Sequence, residues 1–429
     1  MKSLNTPSNE YIEFIVNYIQ NIEVLETYIN GLDDILSHQT EKLLSGEAQH
    51  DSVRPLFKSL FTFLAEAQEN SNGNMEDFEE KFEHGILSFY EEKLSVQIED
   101  RSVAKRFQKA SNQLALTFQQ IPMIYSSSLI NLAIYFELLA TQLIQKRLMD
   151  NPEAAKIEKK SLTLTQIEEL GSLEEAKNYL IEQEVVDLMH NGFKSWLGYF
   201  EDRMKVDISK IKPYTEKVNE VFCRRHLFVH NGGTVNNIYL TRVSKECREG
   251  ITLGDDLSID PEYFDNTLKL FKLYGIVLAL ETWKRKEKES EERTDFLLVY
   301  IYDLLIKEEW AVARILCQFI MDDKNVPAKK KWTANINYWL TRKELGEYSE
   351  IEDEIKNTDL SALSGEFQLC KMALLDNYAG FFDLLEDNFP KPIGLEDLEE
   401  WPIFKEIRNQ ETYTDFINER KVPSELIRQ

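Results

Sequence analysis

Apolar residues recur at three- and four-residue spacing along nearly the whole chain. Tyr11-Ile12, Ile15-Val16, Ile19, Val24-Leu25 and Ile29 form one such stripe near the start. That period gathers side chains on one face of a helix. Proline and glycine are scarce, 11 and 16 of 429 residues, so few positions force the backbone out of a helix. The polar stretch NSNGN at 70–74 predicts the first break, and a further helical stretch is predicted from Asp77 to about Gln97. Pro122 predicts another boundary. Beyond it, Ser126, Ser127 and Ser128 offer N-caps to the apolar helix LINLAIYFELLATQLIQKRL, which should end before Asn151-Pro152. Its one acid, Glu137, is either a solvated carboxylate at the helix edge or a polar group facing a site.

Ser172-Leu-Glu-Glu175 has the form of a capping box and predicts a long helix through about Met204. The next helix should start near Tyr214 and stop at Gly232-Gly233, where glycine supplies the left-handed C-cap. TVNNIYLTRV (234–243) reads as extended or loop. Asp260-Pro261-Glu262 then opens another helix by cap and first-turn proline. It runs to the charged stretch WKRKEKESEER (283–293), expected to be a solvated helix end and a domain boundary. In the last third, Trp310, Tyr348 and Tyr378 each follow a short polar turn and precede a renewed apolar stripe. Their spacings of 38 and 30 residues bracket the ~34-residue period of tetratricopeptide-like hairpins. A helical-repeat tail or an unrepeated bundle would both fit.

No apolar run in the sequence approaches the ~18 residues that span a bilayer. FLLVYIYDLLI (296–306) is shorter and carries Asp303. The first residues, MKSLNTPSNEY, lack the apolar core of a signal peptide. Cys223, Cys247, Cys317 and Cys370 are far apart, which suggests neither a disulfide framework nor a zinc ribbon. A cytoplasmic protein without a membrane partner is expected.

The net charge is −25. It is uneven: residues 1–100 hold 6 basic and 20 acidic side chains, residues 101–290 hold 27 and 26, and residues 291–429 hold 17 and 29. Nucleic acid binding by the whole surface is disfavoured. If phosphate is met anywhere, the neutral middle should meet it. The acidic tail suits a protein partner or inhibitor better.

The middle also holds the chemistry-bearing cluster VFCRRHLFVHNGG at 221–233. His226 and His230 are four apart and share a helix face. His-x-x-x-His is a metal-pair spacing, but Leu227 stands where a zincin carries its glutamate, and no third ligand is evident. No metal or other cofactor is expected. Arg225 and His230 diverge by about 140° around one helix, so they would converge more naturally in a cleft shared with a second copy. His230 lies in the last turn, where the dipole attracts a cation, and arginine is a permanent forked donor for phosphate. Cys223 reads as a small packing residue.

Arg225-His226-x-x-x-His230, followed by Asn231-Gly232-Gly233, resembles the Arg-polar-x3-5-His signature of HEPN domains. The resemblance covers about residues 122–290. It implies a helical domain that dimerises so that both signature helices form one composite site. It also implies a metal-independent endoribonuclease of the toxin or anti-phage kind. Arg225 would contact phosphate, His230 would transfer a proton, and His226 would assist, standing where asparagine is most frequent in the family. Arg224 and Asn231 flank the signature as candidate substrate contacts. The expectation is an all-α protein: an N-terminal helical region (1–121), a HEPN-like helical bundle (122–290) and C-terminal helical hairpins (291–429). The alternative is a non-catalytic HEPN-like scaffold binding RNA or protein.

Overall fold

The computed structural model describes residues 9–45, 78–82, 85–90, 93–151 and 160–420, with positions 55, 56, 58, 59 and 62. The break expected at 70–74 lies outside them. The fold is all-α apart from one small sheet. In chain order the elements are α1 (Glu10–Ser45), β1 (Phe78–Phe82), β2 (Gly85–Tyr90), β3 (Lys93–Gln97), α2 (Arg101–Asp150), α3 (Leu164–Leu170), α4 (Leu173–Met189), α5 (Phe193–Gly198) and α6 (Thr215–Asn231). A single π-turn, Tyr199–Met204, follows α5. Then come α7 (Asn237–Arg242), α8 (Pro261–Lys286), α9 (Glu291–Ile306), α10 (Trp310–Asp322), α11 (Ala328–Glu344) and α12 (Tyr348–Asn357). The last are α13 (Gly365–Leu374), α14 (Tyr378–Asn388), α15 (Leu395–Glu400), α16 (Lys405–Arg408) and α17 (Glu411–Arg420).

Contacts divide the chain into two units, and neither is continuous in sequence. One comprises 19–136 and 216–268; the other comprises 1–18, 137–215 and 269–429. The division expected after residue 121 falls inside α2. Pro122 does not end that helix, although it removes one backbone bond and crowds the preceding turn. Beyond it the stripe Leu129, Leu132, Ala133, Phe136, Leu139, Ala140, Leu143 and Ile144 is buried and anchors the C-terminal part of the helix. Gln119–Asp150 is long and apolar enough by composition to cross a membrane, contrary to the reading of apolar runs.

In the unit holding 19–136 and 216–268, residues 78–82, 85–90 and 93–97 form a sheet rather than the expected helix. β1, β2 and β3 pair antiparallel in order, with Leu87 opposite Glu80 and Val96. Cross-strand Ser88 and Ser95 join their hydroxyls at 2.8 Å. Gly85 is required there, because a Cβ would lie 2.8 Å from the Gln97 carbonyl oxygen. Edge-to-face rings, Tyr125 with Phe264 at 5.6 Å and Phe136 with Phe222 at 5.9 Å, tie α2 to α8 and α6.

In the other unit, Tyr11 stacks on Trp283 with centroids 5.8 Å apart. The Tyr18 hydroxyl donates to the Phe271 carbonyl at 2.7 Å, and a Cβ on Gly275 would meet the Tyr18 ring at 2.4 Å. Only glycine lets α1 and α8 approach so closely. Ser172 caps α4 by accepting from Glu175 N at 3.1 Å, but the helix ends at Met189 and turns through Gly192 (φ 80°) instead of reaching Met204 unbroken. The charged stretch 283–293 is not wholly solvated. Trp283 and Arg293 are buried, and Arg293 donates to Asp323 at 3.1 Å and to the Glu287 carbonyl at 2.6 Å. Nearby, burial raises the Glu281 carboxyl to about 7; Lys284 opposes this, and Asp207 adds to it.

The tail consists of helical hairpins with one repeated turn. After α9, α11 and α13 a residue takes left-handed φ: Glu308 (57°), Gly346 (79°) and Asp376 (53°). Each turn carries the paired bonds of a Schellman cap: Glu308 and Glu309 to Leu305 and Leu304, Gly346 and Glu347 to Lys343 and Arg342, Asp376 and Asn377 to Ala373 and Met372. Trp310, Tyr348 and Tyr378 are then the first residues of α10, α12 and α14.

Candidate functional site

Helix α6 divides its residues sharply. Val218, Asn219, Glu220, Val221, Arg224 and Leu227 are buried, whereas His226, Val229 and His230 are exposed and Arg225 is half-buried. The two imidazoles lie on one face, one turn apart, with ring centroids 4.6 Å apart and planes at 49°. Burial, then the neighbouring His230, Arg242 and Arg225, hold the His226 imidazole below its usual range. At neutral pH this ring is uncharged and can accept a proton. Arg242 is exposed at the end of α7.

α7 occupies the stretch expected to be extended or loop. Its N-cap is Asn236, whose side chain accepts from Tyr239 N at 3.0 Å. Two contacts anchor it to α6. Asn219 Nδ2 donates to the Arg242 carbonyl at 2.9 Å, and Tyr239 donates to Glu220 Oε1 at 2.6 Å. Leu227, Val235, Tyr239 and Val243 form the apolar cluster beneath, with Cys223 and Cys247 packed on it. Cys223 is thus a packing residue here.

Arg224 belongs to the fold rather than to the exposed face. Its Nε donates to Glu220 Oε1 at 2.8 Å, its Nη1 donates to the Ser258 carbonyl at 3.1 Å, and its guanidinium lies 4.1 Å over the Tyr263 ring. Tyr263 donates to Glu220 Oε2 at 2.6 Å. Burial works against the Arg224 charge, but Tyr263 and Glu220 outweigh it and hold the proton above the ordinary arginine range. Burial and the Glu220 charge push the Tyr263 phenol up as well. Glu220, Arg224, Tyr239 and Tyr263 therefore make a closed polar clamp in which each charge is compensated. The substrate contact expected of Arg224 gives way to this role.

Asn231 is likewise committed to local structure. Its side-chain amide donates to the Thr234 carbonyl at 2.5 Å, closing the turn after α6. Gly232 and Gly233 take φ of 61° and 91°, and Gly233 N caps the Leu227 carbonyl at 3.2 Å. Thr234 Oγ1 bonds Asp256 at 2.7 Å, and Val235 N bonds the Asp255 carbonyl at 2.8 Å. The loop 252–257 thus holds the end of α6 in place and leaves His226 and His230 facing outward.

Of the residues expected at the site, Arg225, His226 and His230 remain together on α6, and Arg242 joins them electrostatically. TVNNIYLTRV carries little apolar periodicity, and the N-cap Asn236 is the local signal in it for the helix that bears Arg242. Among the described residues, no three His, Cys, Asp or Glu side chains converge as a metal-binding group. Exposed His226, His230 and Arg242 with half-buried Arg225 offer a proton acceptor, a second imidazole and two guanidinium ions, a set suited to a phosphodiester. Compared with known proteins, the chain matches no family model, no curated protein and no solved structure.

Proposed function

We propose that the chain is a metal-independent endoribonuclease of the HEPN type, acting as a toxin or anti-phage effector. The observation that carries this reading is the pair His226 and His230, 4.6 Å apart on an exposed helix face, with Arg225 and Arg242 beside it. In the proposed reaction one imidazole takes the proton of a ribose 2′-OH. That oxygen attacks the adjacent phosphorus, and the bond to the leaving 5′-oxygen breaks as a second imidazole protonates it. Arginine stabilises the added charge on the five-coordinate phosphate. Products would be a 2′,3′-cyclic phosphate and a 5′-hydroxyl.

Val229, next to His230 on α6, and Ile238 on α7 are exposed apolar residues. They support pairing with a second copy, which would bring its own Arg225 and His230 into a composite site. The same residues also favour a second reading, a non-catalytic scaffold in which this face only joins subunits.

The test is cleavage of RNA by the purified full chain in EDTA, with the new ends analysed. Under the ribonuclease reading, cyclic phosphate ends form, and His230→Ala or His226→Ala lowers the rate by about 100-fold or more. A well-folded protein that leaves RNA intact, and whose Arg225→Ala variant changes only self-association, would establish the scaffold instead.

A further inference from the structure

The helical-hairpin tail holds a cavity of about 210 Å³, separate from the histidine face in sequence and chemistry. Its floor is apolar and rigid: Leu305, Leu340, Phe367 and Cys370 are each at most 5% exposed. These come from α9, α11 and α13, the first helices of the three hairpins. Tyr302, Trp401 and Asn337 stand at its walls. The volume is smaller than the roughly 300–1,000 Å³ of pockets that enclose a whole small molecule. It suits one bulky side chain of something larger.

Two observations identify that larger thing. The Asn337 side-chain amide lines the cavity beside Ile336 and Leu340 and makes no hydrogen bond among the described residues. An amide donates and accepts at once, which matches a peptide backbone. The surroundings are also acidic. Glu366 lines the cavity, Asp303 neighbours the lining residue Tyr302 in sequence, and Glu400 immediately precedes the lining residue Trp401. Two nearby cations are engaged: Lys329 pairs with Glu366 at 3.2 Å, and Arg408 donates to the Leu398 and Trp401 carbonyls at 3.0 and 2.9 Å.

We propose that this cavity docks a partner protein through a peptide segment in which one bulky apolar side chain is flanked by lysines or arginines. The apolar residue fills the cavity, Asn337 bonds the segment's backbone, and the flanking cations meet the surrounding carboxylates. Complementary charge would speed encounter and reject acidic competitors.

The test uses the full chain and capped, fluorescein-labelled peptides with central leucine, phenylalanine or tryptophan between flanking arginines, read by fluorescence anisotropy. Binding is expected with a dissociation constant of about 1–100 µM. It should weaken about tenfold or more with central alanine, with glutamate flanks, or in Asn337→Trp, whose ring occupies the cavity. The surface variant Asp303→Lys with Glu400→Lys keeps the floor intact and should weaken arginine-flanked peptides while sparing uncharged ones. No binding by any peptide at about 1 mM, or equal binding of central alanine, would overturn the proposal. So would unchanged binding by Asn337→Trp. A change of oligomeric state in Asn337→Trp would assign the cavity to a second copy and overturn it too.

Discussion

His226 and His230 face each other across one turn of α6 with ring centroids 4.6 Å apart, and the His230 charge is felt by His226. Burial and the positive neighbours His230, Arg242 and Arg225 make protonation of His226 costly.

His226 should titrate below the ~6.5 of an isolated imidazole. The unfolded chain then holds this proton to higher pH than the folded chain does. The stability owed to neutral His226 is complete above the unfolded value and is lost as pH falls through the lowered one. His230→Ala removes one of the positive neighbours and should move the His226 midpoint upward, as NMR titration of the imidazole signals will show. An unmoved midpoint would mean that the pair is uncoupled.

Glu281 predicts the opposite slope. Its carboxyl is raised to about 7 chiefly by burial, so the folded chain binds a proton that the unfolded chain releases. The resulting stability is present below the unfolded value and declines as pH rises through about 7. Glu281→Gln keeps the shape of the neutral form. It should stabilise the chain at pH ~8 by about 1–3 kcal/mol and change little at pH ~4. Urea unfolding at both pH values measures the difference.

The clamp around Glu220 should tolerate little. Glu220→Ala leaves the Arg224 guanidinium buried without its carboxylate and is expected to cost about 3–5 kcal/mol. Tyr263→Phe removes one bond of 2.6 Å to Glu220 and should cost about 1–2 kcal/mol. Chemical denaturation would contradict the clamp if the two losses came out equal.

Left-handed turns separate two kinds of substitution. Gly233 has φ of 91°, and a Cβ there would meet the Phe228 ring at 3.0 Å and the Leu257 carbonyl oxygen at 3.2 Å. Gly233→Ala should therefore destabilise by about 1–3 kcal/mol. Glu308 adopts left-handed φ without glycine's freedom, and its ion pair with Lys405 is exposed at both ends. Glu308→Gly should be neutral or stabilising by up to about 1 kcal/mol. Melting temperatures of the two variants should move in different directions or, for Glu308→Gly, not at all.

The apolar period and the caps were enough to specify an all-α chain. Glycine after Asn231 set the end of α6, and Asp260-Pro261 set the start of α8, because those signals act within one turn of backbone. The aromatics Trp310, Tyr348 and Tyr378 marked real helix starts for the same reason. Residues 78–97 misled because a short stretch rich in aromatic and acidic residues fits helix or strand, and pairing with neighbouring strands decides between them. Pro122 costs one backbone bond, a local loss that a 50-residue helix anchored by buried side chains further along it absorbs. At the site, the signature residues could be located on one helix by spacing alone. Which arginine faces outward could not, because Arg224 and Arg225 are adjacent and alike in sequence. Burial against Glu220, Tyr239 and Tyr263, which lie up to 39 residues away, turned one inward. Only the packing of α7 on α6 brought Arg242 to the imidazoles, since long-range electrostatics depend on distances that a linear pattern does not contain.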